Sequence, residues 1–330
     1  MRIAVTGSIA TDHLMVFPGS FKEQLIEGQL EKVSLSFLAD SLEIRRGGVA
    51  ANITFGLGRL GLRPLLVGAA GTDFDSYRIW LKGHHVDTDS VWISDTRHTA
   101  RFVCTTDREH NQIATFYPGA MAEAGNISIG EVADRAGGLD LVLISPDDPA
   151  AMLRHTRESR SRELPFAADP SQQLATLGKE DARQLLSGAR YLFTNEYEAA
   201  LLQERTEWRA ADILDRVGFW VTTLGADGVR IDSALNGTPS RLVVPAVPVD
   251  EAADPTGVGD AFRAGFLAGV SWKLGVERSA QLGCTLAAAA LRSVGTQTYE
   301  LSRQFLLDTV RGVYGTKAAD DIAPQLASVA

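Results

Sequence analysis

Apolar and polar positions divide the chain into two styles. The first half carries alternating stretches. Residues 3–6 form a short apolar strand that Gly7-Ser8 ends. Residues 33–37 and 42–45 alternate apolar with polar, as strands with two different faces do. Gly47-Gly48 breaks that run, and a helical pattern opens near Ala50 and ends near Gly61. Residues 64–68 make a buried strand and 74–82 a helix. Residues 99–104 and 112–117 pattern as a hairpin pair joined by the polar stretch 106–111. After Met121 the style changes. Short apolar strands at 139–145, 166–168, 191–194 and 220–223 alternate with helical stretches at 149–162, 179–188, 196–204 and 209–216. Helices over 258–270, 276–291 and 301–313 follow. A β-then-α rhythm predicts a parallel sheet covered by helices on both faces.

The expected fold is therefore one α/β domain over residues 1–330, a doubly wound sheet flanked by helices. A small β-sheet lid is expected from inserted segments at roughly 11–46 and 96–117, with its 33–45 pair antiparallel. Ligands of such sheets sit at the carboxyl ends of the strands. Ser8, Asp12, Asp169, Asn195 and Thr223 fall at or just past expected strand ends, as does the loop before Asp260.

Composition narrows the function. A formal net charge of −9 argues against nucleic acid or an anionic membrane as the main partner. The two cysteines, Cys104 and Cys284, lie far apart without metal-ligand spacing, so reduced thiols are expected. The first residues enter a strand directly and no apolar run is long enough for a bilayer, which favours the cytoplasm. No two of the six histidines have helix-face metal spacing.

The stretch Asp254-Pro255-Thr256-Gly257-Val258-Gly259-Asp260 holds the densest chemistry. A tight glycine loop runs into a helix, whose free N–H groups and dipole favour an anion in front of them. Asp260 sits in the first turn, beside the same spot. A donor nest with one carboxylate suits phosphoryl transfer to an alcohol: the nest holds charge and the carboxylate takes the hydroxyl proton. The same residues also read as a helix cap with a dipole-stabilising acid. Gly47-Gly48 through Asn52 is a glycine pair that would let a sugar approach, or a plain turn. It is no phosphate-binding P-loop, because the Gly-Lys-Ser/Thr ending is missing. Gln172 and Gln173 follow a strand end and suit a nucleobase edge, or a polar turn. Phe102 and Phe116 on the hairpin strands would sandwich a flat base, or belong to the core. Glu198, with Asn195, would hold a hydrated Mg²⁺, or cap a helix. Thr223-Leu224-Gly225 with Gly228 is a strand end and a tight turn.

Together these stretches resemble the ribokinase-like, or PfkB, family of small-molecule kinases over nearly the whole chain. Gly47-Gly48 through Asn52, Thr54, Gly61 and Gly71 is similar to its N-terminal signature, and Asp254 through Asp260 to Gly265 to its C-terminal one. Within the family the chain is most similar to bacterial adenosine kinases of mycobacterial type. Residues 7–15, Phe116-Tyr117-Pro118-Gly119-Ala120 and Asp169-Pro170-Ser171-Gln172-Gln173 carry that similarity. The resemblance implies ATP-dependent phosphorylation of adenosine at its 5′-hydroxyl, giving AMP and ADP. It makes Asp260 the base and the N–H groups of Gly257, Val258 and Gly259 the anion hole. It places Asp12, Gly48 and Asn52 on the ribose, and Ser8, Ser36, Phe102, Phe116, Gln172 and Gln173 around the purine. Asn195 and Glu198 would organise Mg²⁺, through water, and the phosphates. Thr223, Gly225 and Gly228 would line the ATP site. A monovalent cation such as K⁺ would sit near Asp254 and 293–297. Pro255 stands where the family commonly has Thr. Arg263, near the same helix face as Asp260, is either a phosphate ligand or a partner for a carboxylate. The expected lid strands look apolar on both faces, with Val33, Leu35 and Phe37 opposite Ser36, which implies a homodimer through the lids. A sugar kinase of the same fold and a non-catalytic nucleoside-binding protein are the alternatives.

Overall fold

Among the described residues thirteen strands form, and they separate into two sheets. The computed structural model describes residues 1–24, 35–234 and 237–329. In chain order the strands are β1 (Ile3–Thr6), β2 (Ala10–Val16), β3 (Ser41–Gly47), β4 (Leu65–Gly71), β5 (Asp87–Ser94), β6 (Ala100–Thr106) and β7 (Gln112–Tyr117). They continue with β8 (Leu141–Ile144), β9 (Phe166–Ala168), β10 (Tyr191–Asn195), β11 (Phe219–Thr223), β12 (Val229–Ser233) and β13 (Ser240–Val244).

The large sheet has nine strands in the order β13-β12-β11-β10-β9-β8-β1-β4-β5. From β5 to β11 neighbours run parallel; β12 and β13 turn back antiparallel at one edge. Side chains of β1 alternate between two cores. Ile3 and Val5 face the helices Val49–Arg59, Val258–Ser271 and Gly275–Leu291, while Ala4 faces Ile129–Ala136 and its neighbours. This is the expected doubly wound α/β fold. The chain leaves β1 first to β4 and β5 on one side, and later to β8 and its followers on the other. The order therefore reverses between β1 and β8, where a ligand crevice opens in such sheets. The Ser8 N–H bonds the Pro146 carbonyl there at 2.9 Å.

The second sheet has four strands, β3-β2-β6-β7. It comes from the two expected insertions, with one correction. Val33 and Ser34 lie outside the described residues, and 35–37 is not a strand. Phe37 packs instead against Phe17 and Phe21, with ring centroids 5.0 and 4.9 Å apart. The antiparallel partner of β3 is β2, pairing Asp12 with Arg45 and His13 with Ile44. Its polar and charged residues hide β2 from a hydrophobic pattern. The edge strands β5 and β13 escape the pattern as well, because each has a partly open face, and so does β12 between β11 and β13, where Arg230, Asp232 and Ser233 break the apolar run. The hydrophobic pattern also misses the helices Ile129–Ala136 and Thr316–Ile322. Among the described residues no helix is long and apolar enough to cross a membrane.

Candidate active site

Gly257 caps the helix Val258–Ser271 in the left-handed region, φ 76°. A Cβ there would stand 2.8 Å from the Thr296 methyl, so both conformation and space demand glycine. Val258, Gly259 and Asp260 form the first turn, with N–H groups that have no partner within the helix. Gly48, at φ 95°, plays the same part for the helix Val49–Arg59: a Cβ would meet the Ala10 nitrogen and the Ser8 carbonyl at 2.6 Å. The two helix starts thus approach each other where the sheet order reverses.

Between them lies the central contact. The Asn52 Nδ2 donates to Asp260 Oδ2 at 2.8 Å. The Asn52 Oδ1 accepts from Thr296 Oγ1 and from Gln297 Nε2, both at 2.9 Å. Burial pushes the Asp260 carboxyl up to about 7, and Asp169 adds to this, while the Asn52 hydrogen bond and Arg263 pull it down. A carboxyl that titrates near neutrality suits a proton acceptor.

Two cavities meet at this carboxylate. One, of about 410 Å³, takes in Ser8, Asp12, Gly48, Asn52, Gln172 and Gln173. Phe102 and Phe116 close it from the second sheet. Register explains why: Arg45, Asp12, Phe102 and Phe116 pair in one row across β3, β2, β6 and β7, so all four share a face. Burial raises the Asp12 carboxyl; Arg45 opposes this and Asp254 adds to it. The other cavity, of about 640 Å³, takes in Asn195, Glu198, Thr223, Gly225 and Arg263. Val49, Gln172, Gly257 and Asp260 border both.

Several expected residues sit differently from their sequence-based roles. Ser36 is exposed, lies in the irregular segment after the undescribed residues and lines neither cavity, because 35–37 does not join the sheet. Gln173 is tied down: its amide donates to the Asp147 carbonyl at 2.8 Å and accepts from Thr176. Gln172 remains as the exposed amide of the pair. Ser8 borders the cavity but also accepts the Val49 N–H at 3.0 Å. Gly228 lies at the base of its turn against the Val244 carbonyl, outside both cavities. Asn52 spends its carbonyl and one amide proton inside the protein, leaving one N–H.

Arg263 resolves as the partner of a carboxylate. Its Nη2 donates to Asp169 Oδ1 at 2.6 Å, its Nε lies 2.5 Å from Oδ2, and its Nη1 donates to the Gly259 carbonyl at 3.0 Å. Both side chains are buried. This buried ion pair, with one charge-assisted hydrogen bond through Nη2, braces the anion loop from behind.

Asn195 and Glu198 form a reciprocal capping box on the helix Glu196–Thr206. The Glu198 carboxylate accepts from the Asn195 N–H at 2.8 Å and its amide at 2.9 Å, and faces the larger cavity. Among the described residues no three His, Cys, Asp or Glu side chains gather to hold a metal directly. The donor set thus fits a hydrated Mg²⁺ held mostly by phosphates and waters, with Glu198 in its outer sphere. A monovalent cation fits less well. Asp254 already accepts from Arg45 at 3.3 Å, the Thr256 N–H at 2.9 Å and the Gly295 N–H at 3.0 Å.

The sequence pattern of the pfkB family carbohydrate kinases matches residues 8–303. The chain belongs to that family. Family kinases use ATP, and the larger cavity is where the strand-end turn at Thr223 and Gly225 would meet it. A nucleoside kinase of Methanocaldococcus jannaschii is 26% identical over 254 residues, 76% of this chain and 81% of that protein. The structure of the Burkholderia thailandensis nucleoside kinase in complex with inosine is 30% identical, with a TM-score of 0.81 over 96% of this chain and 99% of that one. An adenosine kinase of Schizosaccharomyces pombe is 25% identical over 185 residues, 52% of this chain and 53% of that protein. This pfkB member thus has relatives that act on nucleosides, beside others, such as a ribose-1-phosphate kinase of Halopiger xanaduensis, that act on sugars.

Sequence reasoning placed Thr296 and Gln297 only in the 293–297 segment expected near a cation, not against Asn52, and missed Tyr77 altogether. Their contacts with Asn52 and with each other span more than two hundred residues, so no local pattern marks them.

Proposed function

We propose that this kinase transfers the γ-phosphoryl group of ATP to the 5′-hydroxyl of adenosine, giving AMP and ADP. The meeting of the two cavities at Asp260 and Gly257 carries this reading. Adenosine fills the smaller cavity, its purine against Phe102 and Phe116 with its edge on Gln172. Its ribose lies against Asp12, Gly48 and the remaining Asn52 N–H. ATP fills the larger cavity, along Thr223 and Gly225. Asp260 takes the 5′-hydroxyl proton, the oxygen attacks the γ-phosphorus in line, and the bond to the β,γ-bridging oxygen breaks to release ADP. The N–H groups of Gly257, Val258 and Gly259 stabilise the charge spread over the moving phosphoryl oxygens. Mg²⁺, when bound, neutralises the phosphates; Glu198 orients its water shell. No step uses a monovalent cation, since the Arg45 guanidinium already balances Asp254.

The whole chain acts as one kinase domain, with the four-stranded sheet as a lid that excludes water on closing. Leu42, Ile44 and Ile113 are exposed on the face of that sheet away from the row of Asp12 and Phe102. These residues, rather than Val33, Leu35 and Phe37, would bury a homodimer interface. A monomeric mass by light scattering at working concentration overturns the dimer. A cytoplasmic location accords with buried, unpaired Cys104 and Cys284.

A second reading, inosine as the preferred acceptor, draws on the inosine complex of the Burkholderia relative. Production of ADP from MgATP with adenosine, inosine, cytidine and ribose offered separately decides. Fastest turnover with adenosine supports the proposal. Preference for inosine moves the specificity to the second reading, and preference for ribose overturns the purine pocket.

A further inference from the structure

A chain of hydrogen bonds runs from the indole of Trp80 to the carboxylate of Asp260, and it has one permitted direction. Trp80 Nε1 can only donate, and it donates to Gln297 Oε1 at 3.0 Å. That fixes the Gln297 amide with its Nε2 toward Asn52 Oδ1, at 2.9 Å, and toward the Tyr77 hydroxyl. Tyr77 in turn donates to the Gly47 carbonyl at 2.9 Å, a group that can only accept. A donor-only anchor and an acceptor-only anchor therefore agree on the polarity. With its Oδ1 held by Gln297, Asn52 presents its N–H to Asp260.

Thr296 does not enforce this orientation. Its Oγ1 lies 2.9 Å from both Asn52 Oδ1 and the Arg46 carbonyl. One hydroxyl proton cannot serve both at once. The hydroxyl could donate to Arg46 and accept from an Asn52 turned the other way. Gln297 could not, because Trp80 holds its carbonyl end. An inverted Asn52 would also aim its oxygen at the Asp260 carboxylate. Asn52, Gln297 and Tyr77 are all buried, so no water replaces a lost partner cheaply.

We propose that Gln297 is a positioning residue for phosphoryl transfer: anchored by Trp80 and Tyr77, it locks the Asn52 amide so that its N–H points at Asp260. The inference rests on Asp260 as the catalytic base. Gln297 touches neither nucleoside nor nucleotide in this scheme; it acts through Asn52. The hydrogen bond it secures favours the ionised carboxylate, the form that accepts the proton. The other groups acting on Asp260 are Arg263 on the same helix and Asp169 beyond β9. Tyr77 and Tyr299, whose hydroxyls feel the Asp260 charge, flank it from the helix Asp75–Gly83 and the segment after Gln297. Asp12 faces the same cavity from β2. The substitutions below leave each of these residues in place; only Tyr77 loses a contact, its hydrogen bond from Gln297 in Gln297→Leu.

The test is the pH profile of kcat in Gln297→Leu and Trp80→Phe, each uncharged. Phe at 80 keeps a ring beside Phe55 and under Arg46 while removing the only anchoring N–H. Both variants should move the acidic limb upward by about one pH unit, the worth of one hydrogen bond to a charged group. Turnover below the limb then falls roughly tenfold and recovers above pH 8.5, with KM for MgATP within about twofold. The double variant should shift no further than either single one, because both act through one chain. A merely structural role would lower the unfolding midpoint and leave the limb in place. Unshifted limbs in both single variants, with Asp260→Asn inactive, overturn the positioning role alone. Near-normal turnover in Asp260→Asn overturns the base reading, and the positioning role falls with it.

Discussion

Asp260→Asn should trade stability against turnover in a way that depends on pH. Burial holds the Asp260 carboxyl near 7, against an ordinary value of 3.8. A group whose folded-state value is raised adds stability below its unfolded value and withdraws it as pH climbs through the folded one. The wild-type protein should therefore lose stability on this account between about pH 4 and pH 7. A shift of roughly three units corresponds to at most about 4 kcal/mol, and relaxation of the partly accessible site trims that to about 2 kcal/mol. Asn at 260 never ionises, so the variant escapes the loss. For a chain of 330 residues the unfolding entropy is about 0.7 kcal/mol/K, so the gain should raise the Tm at pH 8 by about 3 °C. At pH 4 the two melting curves should converge. Turnover should move the other way. Removing a positioned base costs about 10²–10⁴-fold. In the wild-type enzyme the ionised fraction falls from about nine-tenths at pH 8 to about one-hundredth at pH 5, so kcat should drop roughly 90-fold over that range. The assays are calorimetric melts at pH 4 and 8 and ADP production across pH 5–9. A variant that melts no higher at pH 8 than the wild type, or a wild-type rate that is flat down to pH 5, refutes the account of Asp260 as a destabilised, ionising base.

Three further outcomes follow from other contacts. Arg263→Met leaves the buried Asp169 carboxylate without its charged partner, and should cost about 3–5 kcal/mol by denaturant unfolding. Gly257→Ala forces a Cβ to 2.8 Å from the Thr296 methyl at φ 76°, so it should cost at least about 1–3 kcal/mol of stability and reduce kcat in steady-state assays. Phe116→Ala should barely change the unfolding midpoint, since the ring is 49% exposed, yet raise KM for the nucleoside about 5–150-fold through lost stacking worth about 1–3 kcal/mol per base.

The loop Asp254 to Asp260 was legible in the sequence because its chemistry is local. Left-handed glycine, helix start and acid fall within seven residues, and backbone geometry alone aims them at one point. The β-then-α rhythm of the second half was legible for a like reason. Buried parallel strands must be apolar throughout, and each must be followed by a covering helix. The strands β2, β5 and β13 were not, because a strand with one open face carries polar residues that look like loop, and β12 was not, because buried Asp232 and Ser233 interrupt its apolar run. The lid shows the limit most clearly. Its two insertions were foreseen, but 33–37 was given the place that β2 takes, since local alternation cannot say which strand a strand will pair with.

Sequence by itself thus determined the family, the anion loop and the acid beside it. Tertiary structure alone decided how that acid is held. Which amide proton faces Asp260, whether Arg263 grips phosphate or Asp169, and which glutamine stays free to meet a base all depend on contacts between distant segments. A hydrogen-bond donor satisfies whatever acceptor folding brings to it, and the residue type records the capacity to bond but never the partner.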